Sequence, residues 1–270
     1  MSESLRKRVA TAAVLITLLL AVLFWLPAVA TVAVLTLVVL MGAWEWSAFL
    51  KWTDLRARGA YVALVAILLP AAWLLTRTPS GLQTLLGLAL LWWLVALAWI
   101  LIAPRRVRPW SAGLAGLLSL VPAWLALTRL RLEARHGAEW VLFSLVLVWV
   151  ADIGAYFCGR RFGRRRLAPA VSPGKTWEGA LGGLAASGIV ALIGSVWFRL
   201  PLAPFLGLCL AAVAFSIVGD LTESLLKRFA GLKDSGTLFP GHGGVMDRID
   251  SVTGAVPVLL LGLTFLGVLP

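Results

Sequence analysis

Between Asp220 and Asp250 the chain reads DLTESLLKRFAGLKDSGTLFPGHGGVMDRID, and these 31 positions hold five of its twelve acidic residues. Asp220, Glu223, Ser224 and Lys227 fall at i, i+3, i+4 and i+7, which is one face of a helix. After the turn PGHGG, Asp247, Asp250 and Ser251 repeat the i, i+3, i+4 spacing. Two helix ends that both carry carboxylates can converge on a hard cation such as Mg²⁺, which takes oxygen ligands. Lys227, Arg228, Lys233 and Arg248 lie in the same window. Cations beside carboxylates suit metal–phosphate chemistry. The N–H groups of a glycine-rich turn containing Gly243 and Gly244 offer an anion site, with His242 as a ligand or acid–base group. Each piece also has a plainer reading. Asp247 and Asp250 suit a helix N-terminus as caps, Glu223 with Lys227 forms a helix-surface ion pair, and PGHGG is a connector.

The elements that must position these groups are apolar. Of 270 residues, 61% are hydrophobic and 13% charged, with a mean hydropathy of +0.96. That composition excludes a soluble globular domain. Apolar runs of spanning length recur along the whole chain, so the fold expected is an all-α, polytopic transmembrane bundle of about nine spans. They are placed near 9–25, 27–50, 60–75, 82–102, 112–128, 140–158, 176–198, 203–226 and 251–269. Residues 1–150 then supply N-terminal transmembrane helices, and 151–270 a catalytic region with two charged loops. With the N-terminus cytoplasmic, 19 of the 24 Lys and Arg residues fall on the cytoplasmic side, including both late loops. Asp220 then lies roughly 10 Å along its helix from the boundary at Lys227. The net charge of +12 follows this bias, and no nucleic-acid module accompanies it. Cys158 and Cys209 sit in apolar context without metal-ligand spacing and read as core residues.

Two upstream stretches carry further polar residues. SPGKTWEG, 172–179, ends in a GKT tail, but the glycine four residues earlier is missing and no strand is expected before it, which rejects a phosphate-loop nucleotide site. What remains is a turn with Lys175, and Ser172 or Thr176 as a helix cap. Asp152 interrupts the apolar run VLVWVADIGAYF, and with Tyr156 at i+4 it is expected to face the bundle interior.

Ser224-Leu-Leu-Lys227-Arg228, then Lys233-Asp234, PGHGG, Met246 and Asp247-Arg248-Ile249-Asp250 resemble the signature of the phosphatidate cytidylyltransferase family. ADIGAYFCGRRFGRRRLAPAVSPGKTWEG, the LRKRV start and Trp44-Glu45-Trp46 also look like that family, so the resemblance spans the chain. Ile153 is a departure, standing where a small or hydroxyl residue is common in the family. The resemblance implies transfer of a cytidylyl group from CTP to phosphatidate, giving CDP-diacylglycerol and pyrophosphate. It implies catalytic roles for Asp220, Lys227 and Asp247, and Mg²⁺ held by Asp220 and Asp247 with Glu223 and Asp250 as helpers. A two-cation site is admitted, the second ion unassigned. Ser172, Lys175, Ser224, Arg228, Lys233, His242, Gly243, Gly244 and Arg248 would hold or shape the substrate phosphates. The partners implied are CTP, phosphatidate and membrane lipid, with no nucleic acid and a homodimer left open. The expected location is a bacterial inner membrane with the site facing the cytoplasm. The competing class is a cation-coupled secondary transporter, for which Asp152, Asp220 and Glu223 would form the ion path. Against it, the charges crowd one face and no inverted half is visible.

Overall fold

A computed structural model describes residues 3–238 and 243–269. Among them the chain forms nine helices: α1 Glu3–Phe24, α2 Ala28–Ser47, α3 Leu55–Leu75, α4 Pro79–Ile102, α5 Pro109–Glu133, α6 Gly137–Phe162, α7 Trp177–Trp197, α8 Leu202–Ala230 and α9 Met246–Phe265. Eight of these, α2 to α9, are long and apolar enough to cross a membrane, and in α1 the described apolar part is the shorter Ala13–Phe24. The chain is an integral membrane protein with the all-helical bundle its hydropathy anticipates. Spans three and five, which look short in the sequence, are full helices of 21 and 25 residues.

α5 is the axis of the bundle, buried along most of its length. It packs against α2, α3, α4, α6 and α9. Three indole and phenol donors from its neighbours are satisfied on it, as a low-dielectric interior favours. Trp46 Nε1 donates to the Ala112 carbonyl at 2.8 Å, Tyr61 Oη to the Gly113 carbonyl at 2.9 Å, and Trp92 Nε1 to Ser119 Oγ at 3.1 Å. The helix also runs five residues beyond the expected end at Thr128. Arg129 is buried because its guanidinium has partners: it donates to the Thr76 carbonyl at 2.6 Å and Thr76 Oγ1 at 3.0 Å, pairs with Glu133, and lies over the Trp73 ring. It thereby satisfies carbonyl groups at the C-terminus of α3 that the helix itself leaves open.

The contacts define two ends. At one, Lys51 lies over the Phe229 ring and Lys175 pairs with Asp220, so the segments after α2, before α7 and in the last turns of α8 meet. At the other, Trp197 Nε1 donates to Glu139 at 2.6 Å, and Arg129 reaches Thr76. The basic loop between α6 and α7 is not irregular, as the sequence reading supposed. It carries an antiparallel hairpin, β1 Arg166–Ala168 with β2 Ser172–Thr176, so a strand does precede residues 172–179. SPGKT is itself the second strand, which is not the turn a phosphate loop would need. The Glu178 carboxylate anchors the hairpin by accepting from the backbone N–H groups of Arg164 at 3.0 Å and Arg165 at 3.2 Å. Thr176 is the N-cap of α7, accepting from Gly179 N at 3.1 Å, so the capping role falls to it and not to Ser172. Both cysteines are free thiols, Cys209 fully buried and Cys158 packed at the α6–α7 crossing, where a Cβ on Gly182 would lie 2.4 Å from its sulfur.

Candidate active site

α8 and α9 cross where neither backbone carries a side chain. A Cβ on Gly219 would come 2.6 Å from the Asp250 carbonyl, and one on Gly254 would come 2.2 Å from the Phe215 carbonyl. This close approach sets Asp220 and Glu223 on α8 against Asp250 on α9. The helical spacing read from the sequence then acts as expected: Ser224 Oγ donates to Asp220 Oδ1 at 3.3 Å, and Lys227 Nζ donates to Glu223 Oε2 at 3.1 Å.

Lys227 also bridges the two helices, since its ammonium lies 2.6 Å from Asp247 Oδ1. All three side chains are withdrawn from water, Glu223 to 1% exposure, Asp247 to 8% and Lys227 to 12%. The second oxygen of Asp247 accepts from Ser235 N at 2.9 Å, Ser235 Oγ at 2.8 Å and Gly244 N at 2.8 Å. A carboxylate so surrounded by donors organises the loop as well as facing the lysine. Gly243 has φ +79°, a conformation that disfavours other residues, and a Cβ there would sit 2.5 Å from Asp247 Oδ2. β2 delivers Lys175, which forms an ion pair with Asp220 at the more open edge of the cluster.

Asp152 on α6 is exposed, yet it faces charged groups on other elements of the bundle, as expected. It lies within electrostatic reach of Asp220, Asp250, Lys175 and Arg248, so it belongs to the open side of the same centre. Arg228, Lys233 and Arg248 are exposed, Arg248 within electrostatic reach of Asp152, and Ser172 is half-buried at the start of β2. His242 lies outside the described residues.

Five carboxylates, on Asp152, Asp220, Glu223, Asp247 and Asp250, thus gather with Lys175, Lys227 and Arg248. Glu223 and Asp250 lie within electrostatic reach of each other, and neighbouring carboxylates repel. Glu223 Oε1 is buried without a donor among the described residues. No three His, Cys, Asp or Glu side chains among the described residues form a ready ligand set, and lysine ammonium groups stand between several of the carboxylates. The donor chemistry nevertheless fits a hard divalent cation: all-oxygen, negative in excess, with one buried oxygen lacking a partner.

Two polar residues at this site were given no site role from the sequence, although Glu45 stands in the Trp44-Glu45-Trp46 stretch. Ser235 lies under Asp247, and Glu45 reaches it from α2, with Oε2 2.9 Å from Ser235 Oγ. Glu45 is the only acidic residue between Glu3 and Asp54 and interrupts an apolar run. That is the signal that marks an intramembrane functional group.

A helical membrane bundle with carboxylates and lysines gathered on two crossing helices is the class this geometry defines. A family model described as "Cytidylyltransferase family" matches residues 6–266, and the chain belongs to that family. It is 44% identical over 262 residues to the phosphatidate cytidylyltransferase of Pseudomonas aeruginosa, covering 94% of this chain and 95% of that protein. It is 39% identical over 278 residues to the Haemophilus influenzae protein of the same name, with 94% and 96% covered. The Brucella suis phosphatidate cytidylyltransferase is 37% identical over 267 residues, covering 96% of this chain and 93% of its own length.

Proposed function

We propose that this chain joins CTP to phosphatidate, forming CDP-diacylglycerol and releasing pyrophosphate. The observation that carries the reading is the carboxylate–lysine cluster at one end of a membrane bundle, in a chain matched along almost its whole length by phosphatidate cytidylyltransferases. A phosphate oxygen of the lipid attacks the α-phosphorus of CTP, the bond to the β-phosphate oxygen breaks, and pyrophosphate leaves. The attacking phosphate is already ionised at neutral pH, so no side chain need remove a proton.

Both reactants are polyanions, and their approach is opposed by charge. Lys175 and Lys227, with Arg228, Lys233 and Arg248 around them, offset that repulsion and hold phosphate oxygens. Ser172, Ser224, His242 and Gly243 shape the phosphate site, while the N–H expected of Gly244 for it is given to Asp247. Asp220, Glu223, Asp247 and Asp250 would hold Mg²⁺, which supplies charge neutralisation and in-line alignment of the phosphates. Such a role calls for rearrangement of Lys175 and Lys227 from carboxylate to phosphate, a move their flexible stems permit. The site faces the cytoplasm of a bacterial inner membrane, an orientation supported by the Lys and Arg bias. There CTP enters from water while the diacyl tails stay in the bilayer.

The test is a detergent-micelle assay with labelled CTP, phosphatidate and Mg²⁺. Wild-type protein is expected to form lipid-linked CMP, and EDTA, Asp220→Asn and Asp247→Asn each to abolish it. Activity that survives both substitutions would overturn the metal assignment. Folded wild type that makes no CDP-lipid would overturn the reaction.

A further inference from the structure

α9 begins without a cap of its own. Its N-cap position is Val245, whose side chain accepts no hydrogen bond, yet the first backbone N–H groups of a helix need partners. They find them 200 residues earlier in the chain. Glu45 Oε1 accepts from Val245 N at 3.0 Å, and Oε2 accepts from Met246 N at 2.8 Å. The positive end of the α9 dipole favours a carboxylate there. The same Oε2 lies 2.9 Å from Ser235 Oγ, which lies 2.8 Å from Asp247 Oδ2 and accepts from Asp247 N at 3.3 Å. A hydroxyl has one proton to give, so Ser235 is shared between the two carboxylates.

The backbone is shaped around this group. A Cβ on Gly236 would meet Glu45 Oε1 at 2.3 Å, and one on Gly244 would meet Glu45 Oε2 at 2.3 Å. The last glycine of PGHGG therefore admits a carboxylate of the protein itself. Its N–H is given to Asp247, and the next two N–H groups are given to Glu45.

We propose that Glu45 is a positioning residue for the transfer reaction: through Ser235 and the first turn of α9 it fixes the direction in which Asp247 presents its carboxylate to Lys227. This rests on the reading of the reaction given above. Glu45 does not itself contact Lys227 or Asp220. Its effect is carried by Ser235 and by the N-terminal turn on which Asp247 rides.

A cap that only stabilised the helix would lower the amount or melting temperature of folded protein and leave the turnover of folded molecules alone. A positioning residue must change turnover. Glu45→Gln keeps the size of the side chain but offers one carbonyl oxygen where two carboxylate oxygens had accepted, so at least one donor loses its partner. In purified, folded Glu45→Gln, kcat is expected to fall at least tenfold with the KM for CTP and phosphatidate changed less than threefold. Hydrogen–deuterium exchange of a peptide covering residues 243–247 is expected to accelerate at least tenfold, with exchange in α4 and α5 unchanged. Glu45→Ala should show both effects more strongly. Wild-type kcat in folded Glu45→Gln, or unchanged exchange at 243–247, would overturn the proposal. If the Glu45 variants do not fold, Ser235→Ala carries the same two readings, since it cuts the link to Asp247 without touching α2. Exchange needs no substrate, so the two readings fail separately. A wild type inactive on phosphatidate counts against the reaction, and unchanged exchange counts against the clamp.

Discussion

Replacing Lys227 with methionine leaves Glu223 and Asp247 facing each other across the α8–α9 junction with no ammonium between them. The lysine nitrogen lies 3.1 Å from Glu223 Oε2 and 2.6 Å from Asp247 Oδ1, and the two carboxylates are 1% and 8% exposed. Water cannot take over the lost charge at Glu223, whose other oxygen is already buried without a donor among the described residues. Removing one partner from a buried ion pair costs about 3–5 kcal/mol, because the remaining charge stays desolvated. Domains of ordinary stability have about 5–15 kcal/mol in hand, so Lys227→Met should fold but unfold markedly more easily. The assay is reversible unfolding in detergent, run beside a double variant that also carries Asp247→Asn. If the lysine and the aspartate act as a pair, the double variant is more stable than the sum of the single penalties by at least about 1 kcal/mol. Turnover should be lost in both. A Lys227→Met protein within about 0.5 kcal/mol of wild type, or penalties that simply add, would refute the reasoning.

Gly244→Ala is expected to lower activity at least tenfold in folded protein, measured as lipid-linked CMP, because the added carbon would meet Glu45 Oε2 at 2.3 Å and Ser235 Oγ at 2.4 Å. Lys175→Gln should behave differently from Lys227→Met: the Lys175–Asp220 pair is about a quarter exposed on both sides, so its loss should change stability by less than about 1 kcal/mol while activity falls. Melting and turnover measured on the same preparation separate the two lysines. Tyr61→Phe removes only the hydroxyl that donates to the Gly113 carbonyl at 2.9 Å, and should cost about 1 kcal/mol in unfolding with turnover unchanged.

The bundle was legible because spanning helices announce themselves by length and hydropathy, which are local properties. The face formed by Asp220, Glu223, Ser224 and Lys227 was legible for the same reason: four residues on one helix obey one period. Pairings between helices were not. That Lys227 serves Asp247 as well as Glu223, and that Lys175 reaches Asp220, depends on how α8, α9 and β2 are brought together, which no spacing within one segment encodes. Arg129 falls just past the span expected at 112–128, because charge near the end of an apolar run reads as solvent-facing. Its partners at Thr76 belong to another helix, and they draw it inside. The hairpin at 166–176 is short, polar and interrupted by proline and glycine, so it lacks the alternation by which strands are recognised. Glu45 is the sharpest case: the charge in an apolar run was visible, but its donors lie 190 to 201 positions away.

The dependence of α9 on Glu45 also bears on how the molecule is made. Of the eight spanning helices α9 has the lowest hydropathy, 1.4, and it opens with Asp247, Arg248 and Asp250. It is also the last of these eight in chain order. Until it arrives, Glu45 lacks its donor Met246 N, and Ser235 and Lys227 each lack their contact to Asp247. The reactive centre is therefore completed only when α9 is in place. A chain that stops short of Met246 lacks the N–H groups of Val245 and Met246 for Glu45 to accept from, or keeps only the first of them.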